Sequence, residues 1–266
     1  MSIQTLYTAA TGMESLQTKL DVIANNLANV NTTGFKKGRA NFEDLFYRHY
    51  QYPGAADSQQ NTTATGTSIG LGSRVQSVQT SQQQGAFQQT NGQYDMAIEG
   101  PGFFQVEDAS GQNLYTRAGN FSVNARGELV LGSASSGRRV TPSVTLPQGA
   151  TNFSITPDGT ISYTENGATS PTQGPQLTLA TFPNPEGLLK LGDNLLAQTG
   201  SSGDVQQSSP AQNGVGQIRG GYLEASNVEP VQELIDLITT QRSFELNSQA
   251  IQAGDQILQL ISNLRR

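Results

Sequence analysis

Leu6-Tyr7-Thr8-Ala9-Ala10-Thr11-Gly12-Met13-Glu14-Ser15-Leu16-Gln17-Thr18-Lys19-Leu20-Asp21-Val22-Ile23-Ala24-Asn25-Asn26-Leu27-Ala28-Asn29-Val30 is the stretch whose reading decides the fold. Leu6, Met13, Leu20 and Leu27 recur every seven residues, and Ala9, Leu16, Ile23 and Val30 recur in step with them. This is an a/d seam, the pattern of a helix that packs along its length against another helix. At about 1.5 Å per residue it makes a rod of roughly 38 Å, long for a helix serving one compact core. Gln4, Thr5, Thr18 and Asn25 flank the seam, so its apolar face is thin and is expected to order only when partners cover it. Asn31, Thr32 and Thr33 are weak helix formers, and Gly34 suits the left-handed residue after a helix cap. The helix is therefore predicted to end at Val30, with Phe35 folded back near it.

A matching seam closes the chain. Leu237, Phe244, Ile251 and Leu258 also fall every seven residues, with Leu234 and Ile261 on the same helix. Gln241, Ser248 and Asp255 are read as its other seam positions. Ser226 with Glu229 three residues on makes a candidate capping box, and Pro230 is tolerated within the first turn.

The middle has a different grammar. Ala97-Ile98, Phe103-Phe104-Gln105-Val106, Leu114-Tyr115-Thr116, Phe121-Ser122-Val123 and Leu129-Val130 are short β-type runs, broken at close intervals by glycines. Ile155-Thr156-Pro157-Asp158-Gly159-Thr160-Ile161 reads as a hairpin. The fold class expected is α+β. Terminal helices form a coiled-coil-like domain, and the centre is all-β, a small barrel or sandwich joined by extended arms. The boundaries expected are an assembly helix over 1–35, a linking arm over 36–74, a β-domain over 75–193, a return arm over 194–225 and a second assembly helix over 226–266. Lys36, Lys37 and Arg39 are read as a solvated basic helix end.

Composition narrows the function. The 266 residues are 14% charged with a net charge of -6, which argues against a nucleic-acid partner. There is no Cys and one His, which excludes thiolate chemistry and multi-imidazole zinc sites. No run approaches a membrane span, and Met1-Ser2-Ile3-Gln4-Thr5 shows no secretory n-region, so no membrane insertion and no cleaved signal peptide are expected. Gly100-Pro101-Gly102 lacks the spacing of a dinucleotide fingerprint. Asp95 and Glu99 could form a carboxylate pair, but a turn and strand-end role fits them better. His49 has no identifiable triad partner. No catalytic residue, cofactor or metal is expected. A surface adhesin-like β protein and a carbohydrate-active enzyme are the competing classes.

Three motifs resemble the bacterial flagellar basal-body rod and hook proteins. The first runs Asn25-Asn26-Leu27-Ala28-Asn29-Val30-Asn31-Thr32-Thr33-Gly34-Phe35-Lys36. The second is Met96-Ala97-Ile98-Glu99-Gly100-Pro101-Gly102-Phe103-Phe104-Gln105-Val106 with Tyr115-Thr116-Arg117-Ala118-Gly119-Asn120-Phe121. The third is Gly221-Tyr222-Leu223-Glu224-Ala225-Ser226-Asn227-Val228 with Gln241-Arg242-Ser243-Phe244-Glu245-Leu246-Asn247. Within the family the likeness is greatest to distal rod proteins, the proximal rod and hook being the alternatives. The resemblance implies a subunit that leaves the cell through the flagellar type III export apparatus and polymerises helically into a hollow, rigid shaft. Its implied neighbours are further copies of itself, proximal rod proteins, the hook protein, and the outer-membrane and peptidoglycan ring proteins. The residues implied for assembly are the two seams, together with Asn25, Asn26, Asn29, Thr32, Gly34, Phe35, Ser226 and Asn227.

Overall fold

The computed structural model describes residues 3–54, 65–108, 110–132, 137–147, 149–165 and 170–264. The chain is α+β, with a helix near each end and a mostly β centre. It divides into two compact units that do not follow sequence order. The first collects Met1–Ala28, Gly38–Thr80 and Glu229–Arg266, and the second Asn29–Lys37 and Ser81–Val228.

In the first unit, helix α1 spans Ile3–Ala28. It stops short of Val30, and residues 29–34 form turns and a bend instead. Gly34 is therefore not the residue that caps α1. Its φ of 69° serves a different contact, because its amide donates to the Glu224 carbonyl at 2.8 Å. Four strands follow: β1 (Gly38–Asp44), β2 (Tyr47–Gln51), β3 (Thr67–Gly70) and β4 (Ser73–Thr80). β1 pairs antiparallel with β4, and β2 with β3. The stretch 36–74, expected as a linking arm, thus contains paired strands, while its residues 55–64 lie outside the described residues. The sequence around Val75 to Val78 reads as the point where the arm turns to β-structure, and β4 lies there, whereas β1, β2 and β3 carry no apolar alternation that announced them. Ladders hold all four strands, and α1 covers β1 and β4, with Ser15 Oγ donating to the Ser73 carbonyl at 3.4 Å, while β2 and β3 are largely exposed.

Helix α2 spans Pro230–Leu264 and packs on α1. It begins at Pro230 rather than Ser226, which places the proline at the first helical position, where its missing N–H costs nothing. The expected capping box does not form, and Ser226 Oγ accepts the Val228 N–H at 3.3 Å instead. No helix among the described residues is long and apolar enough to cross a membrane.

The second unit begins with β5 (Phe87–Gln89), β6 (Met96–Glu99), β7 (Phe103–Glu107), β8 (Asn113–Thr116), β9 (Phe121–Val123) and β10 (Leu129–Leu131). It continues with β11 (Arg138–Thr141), β12 (Thr151–Ile155), β13 (Thr160–Thr164), β14 (Thr172–Gln176) and β15 (Leu179–Thr181). The last strands are β16 (Leu189–Gly192), β17 (Leu195–Ala197), β18 (Gln206–Ser208), β19 (Gln217–Gly220) and β20 (Tyr222–Glu224). The largest sheet runs β16-β17-β8-β7-β11-β10-β9, with β15 branching from β7 and β18 pairing β15. This path has two ends among the described residues and does not close, so the expected barrel is not formed. A full turn of strands would need β9 to meet β16, and both are short edge strands. The hairpin at Pro157-Asp158-Gly159 does form, joining β12 to β13. Residues 194–225, expected as a return arm, supply β17 to β20.

β7 explains why the middle reads as near-continuous apolar runs. Phe104 and Val106 join Met96, Ile98, Leu129 and Leu179 in one buried cluster, while Phe103 faces a second with Tyr115, Phe182 and Leu188. A strand covered on both faces loses its apolar/polar alternation.

Candidate assembly surface

The two heptad seams meet each other inside the first unit. A Cβ added at Gly254 would lie 2.6 Å from Leu6 Cδ2, and one at Gly12 would lie 3.4 Å from Asn247 Nδ2. Asn26 Nδ2 donates to Glu233 Oε2 at 3.2 Å. Residue number falls along α2 as it rises along α1, so the helices run antiparallel. Ile23 is buried, and Leu6, Met13, Leu16, Leu20 and Leu27 are half-buried. Leu237, Phe244, Ile251 and Leu258 are half-buried as well. Val30 lies past the helix end, half-buried, in the second unit. Leu234 is exposed, and the Ile261 side chain lies outside the described residues.

The companion positions on α2 differ from those expected. Thr240 and Gly254 are buried and Asn247 is half-buried, whereas Gln241 and Asp255 are exposed. With Leu237, Phe244, Ile251 and Leu258, the residues Glu233, Thr240, Asn247 and Gly254 complete the face turned to α1. Small or polar residues there let the two helices approach closely.

A second stripe lies on the opposite side of α2, and the heptad reading missed it. Val231 is 71% exposed, Leu246 65%, Leu260 62% and Leu264 86%. Ile235, Ile238 and Ile257 share this side at helical spacing. The signal was present at positions offset by about half a turn, but a search for one seam absorbs the helix's apolar residues into that seam. With its other face covered by α1, the helix presents this stripe as a candidate surface for another molecule.

The motif residues outside the seams build polar joints. Asn26 is buried in the first unit; its Oδ1 accepts the Gly38 N–H and its Nδ2 donates to the Gly38 carbonyl, both at 2.9 Å. Thr32 Oγ1 donates to Asn29 Oδ1 at 3.1 Å, while Asn25 is exposed on α1. In the second unit, Asn227 Oδ1 accepts the Lys37 N–H at 2.8 Å, and its Nδ2 donates to the carbonyls of Ser81 and Gln83. Phe35 is half-buried under the Lys190 ammonium, 5.6 Å from the ring centre, rather than tucked against a helix end.

The three motifs also converge on one ion-pair network inside the second unit. Glu224 is fully buried. It receives Lys36 Nζ at 2.5 Å, Arg117 Nε at 2.7 Å and the Gly85 N–H at 3.0 Å. Lys36 also donates to the Gln83 carbonyl at 2.7 Å. The Arg117 guanidinium gives three further hydrogen bonds, to the carbonyls of Ile98, Gly100 and Gly102. Lys36 is thus not part of a solvated helix end. Burial pulls its ammonium below the ordinary lysine range, and the attraction of Glu224 offsets this only in part. Burial alone would raise the Glu224 carboxyl, but the Arg117 and Lys36 charges together hold it below the ordinary range. No local signal could reveal this network, since its members lie far apart in sequence. The scarcity of charge in this chain made a Lys, an Arg and a Glu, one in each motif, the available hint.

Asp95 and Glu99 have structural partners. Thr90 Oγ1 donates to Asp95 Oδ2 at 2.6 Å, and Glu99 accepts from Gln217 at 3.0 Å and pairs with Arg219 at 3.7 Å. His49 stacks on Tyr52 with ring centres 5.2 Å apart. No cluster of metal-ligating residues occurs among the described residues.

Three family models match this chain, one on the region of each helix and one on the β unit. The model described as flagella basal body rod protein matches residues 6–36, that of the flagellar hook protein FlgE/F/G D1 domain matches 97–163, and that of the flagellar basal body rod FlgEFG protein C-terminal matches 219–264. The flagellar basal-body rod protein FlgG of Buchnera aphidicola subsp. Schizaphis graminum is 41% identical over 98% of this chain and 100% of its own length. That of Caulobacter vibrioides is 41% identical over 99% of this chain and all of its own, and that of Bacillus subtilis 39% over the same shares. The chain belongs to the flagellar basal-body rod protein family, a family of structural proteins, and within it to the distal-rod group.

Proposed function

We propose that the chain is the subunit of the flagellar distal rod, and that it polymerises helically into a hollow, rigid shaft carrying torque from motor to hook. The observation that carries this reading is the exposed stripe Val231, Ile235, Ile238, Leu246, Ile257, Leu260 and Leu264, on the side of α2 that α1 does not cover. In the proposal the heptad seams form a coiled-coil-like pair within each copy, and the stripe meets neighbouring copies. Neighbours that bind the paired helices then add to the stability the pair already has, which couples stability to assembly. The shaft's bore would pass later export substrates. Neighbours below and above would be proximal rod and hook proteins, with outer-membrane and peptidoglycan ring proteins around the shaft. Delivery would be by the type III export apparatus without a cleaved signal peptide.

Electron microscopy of concentrated protein tests the reading. The parent chain should form straight tubes, and Ile235→Lys with Leu260→Lys should form none while keeping its helical circular dichroism. Normal tubes from the double variant would remove the stripe from the interface.

A further inference from the structure

The second unit has two connections toward the helices: residues 29–37 follow α1, and residues 221–228 precede α2. Apolar burial does little to hold them, for Val228 is their one buried apolar residue. Polar contacts hold both. From the first connection, the Gly34 N–H reaches the Glu224 carbonyl at 2.8 Å, and Lys36 Nζ reaches its carboxylate at 2.5 Å. From the second, Asn227 accepts the Lys37 N–H at 2.8 Å and donates to the Ser81 carbonyl at 3.1 Å. Arg117 and the Gly85 N–H grip the same carboxylate from the body of the unit, at 2.7 and 3.0 Å. A Cβ at Gly34 would come within 2.8 Å of the Ala118 nitrogen, so the first connection is seated directly on backbone.

We infer that Glu224 is a positioning residue: one buried carboxylate latches both helix connections to the β unit and so fixes the separation at which the chain leaves it. Its neighbours in charge are Lys36 and Arg117, one on a connection and one on the body. Removing the carboxylate charge leaves Arg117 buried with fewer partners and frees Lys36 to seek water. The sheet core around Phe104 and Val106 contains none of the charged members of this network and should survive the loss. The role in assembly rests on the proposed function; the latch itself does not.

Hydrogen–deuterium exchange on the full chain, unassembled, resolves the two. Glu224→Gln keeps the volume but presents an amide to donors. Exchange in 29–37 and 221–228 should rise roughly a hundredfold, the size expected when a buried charge loses its partner, while β7 and β8 stay protected. Lys36→Met cuts only the first connection's tie, so its rise should be confined to 29–37. An equal rise in β7 and β8, or unchanged protection of 29–37 in both variants, would overturn the latch. In assembly, Glu224→Gln should form tubes at least about tenfold more slowly than the parent. Tubes at the parent rate despite faster exchange would overturn the positioning role. Failure of the parent itself to form tubes would instead count against the distal-rod reading, with the exchange result still deciding the latch.

Discussion

The two compact units of this chain solve the burial problem in opposite ways. The β unit covers β7 on both faces, fills its core with Met96, Ile98, Phe104, Leu129 and Leu179, and pairs its buried charges. The helical unit covers one face of α2 with α1 and leaves seven large apolar residues of the other face in solvent. A buried aliphatic side chain contributes about 1.5–3 kcal/mol. The stripe therefore represents stabilisation that the isolated helical unit forgoes. One unit buries its apolar residues within the single chain, and the other leaves a stripe of them uncovered.

The sharpest way to break this contrast is to charge the shared seam. Leu20→Asp with Phe244→Asp places two carboxylates where the helices meet, each costing several kcal/mol if unpaired. Helical circular dichroism should fall and tubes should vanish, while near-ultraviolet signals from the Tyr115 and Phe182 cluster persist. Retained tubes would show that the helix pair is dispensable. Next in size is Gly119→Ala in the β unit. Its methyl would overlap the Met96 carbonyl oxygen, which is backbone and cannot swing aside. A loss of about 1–3 kcal/mol in denaturant melts of the sheet is expected, with little change in helix content.

Acid provides a gentler separation. Glu224 has a folded pKa below its ordinary 4.5, so its contribution is present above about 4.5 and is lost as pH falls through the lower folded value. Protection of 29–37 and 221–228 should weaken in that acid window, and Glu224→Gln should flatten the dependence. The smallest effect expected is that of Gly254→Ala in the helical unit. The added methyl meets only the mobile end of Leu6, at 2.6 Å, and a gain of about 1 kcal/mol in helix propensity offsets the crowding. Melting should shift by less than about 1 kcal/mol; a large loss would show the helix pair to be as rigidly fitted as the sheet.

Periodicity made the helices legible, because an element that packs along its length repeats its contacts every two turns. Leu6, Leu20, Phe244 and Ile251 could be placed on a seam from spacing alone. The same method concealed Val231, Ile235 and Leu260, since a helix apolar on two sides blurs each stripe with the other. β1 was illegible as a strand because Gly38, Arg39 and Asn41 owe their pairing to the backbone ladder with β4 and to a covering helix, whereas β4 left a trace in Val75 and Val78. The pairing of Lys36 with Glu224 across most of the chain is a tertiary event with no local trace. The resemblance to the family identified the right segments without showing that their charged members meet.

Asn26 adds one consequence. A seam that repeats every seven residues is degenerate: sliding α1 past α2 by one heptad places leucines opposite apolar partners again. Asn26 breaks that symmetry, because its amide is met by Gly38 on one side and by the buried Glu233 on the other. One slip would keep the bonds to Gly38, which belongs to the sheet on α1, but would take the Asn26 amide from the buried Glu233 carboxylate, a hydrogen bond to a charge worth about 1.5–3 kcal/mol. The leucines make the helices adhere, and this single asparagine tells them where to stop.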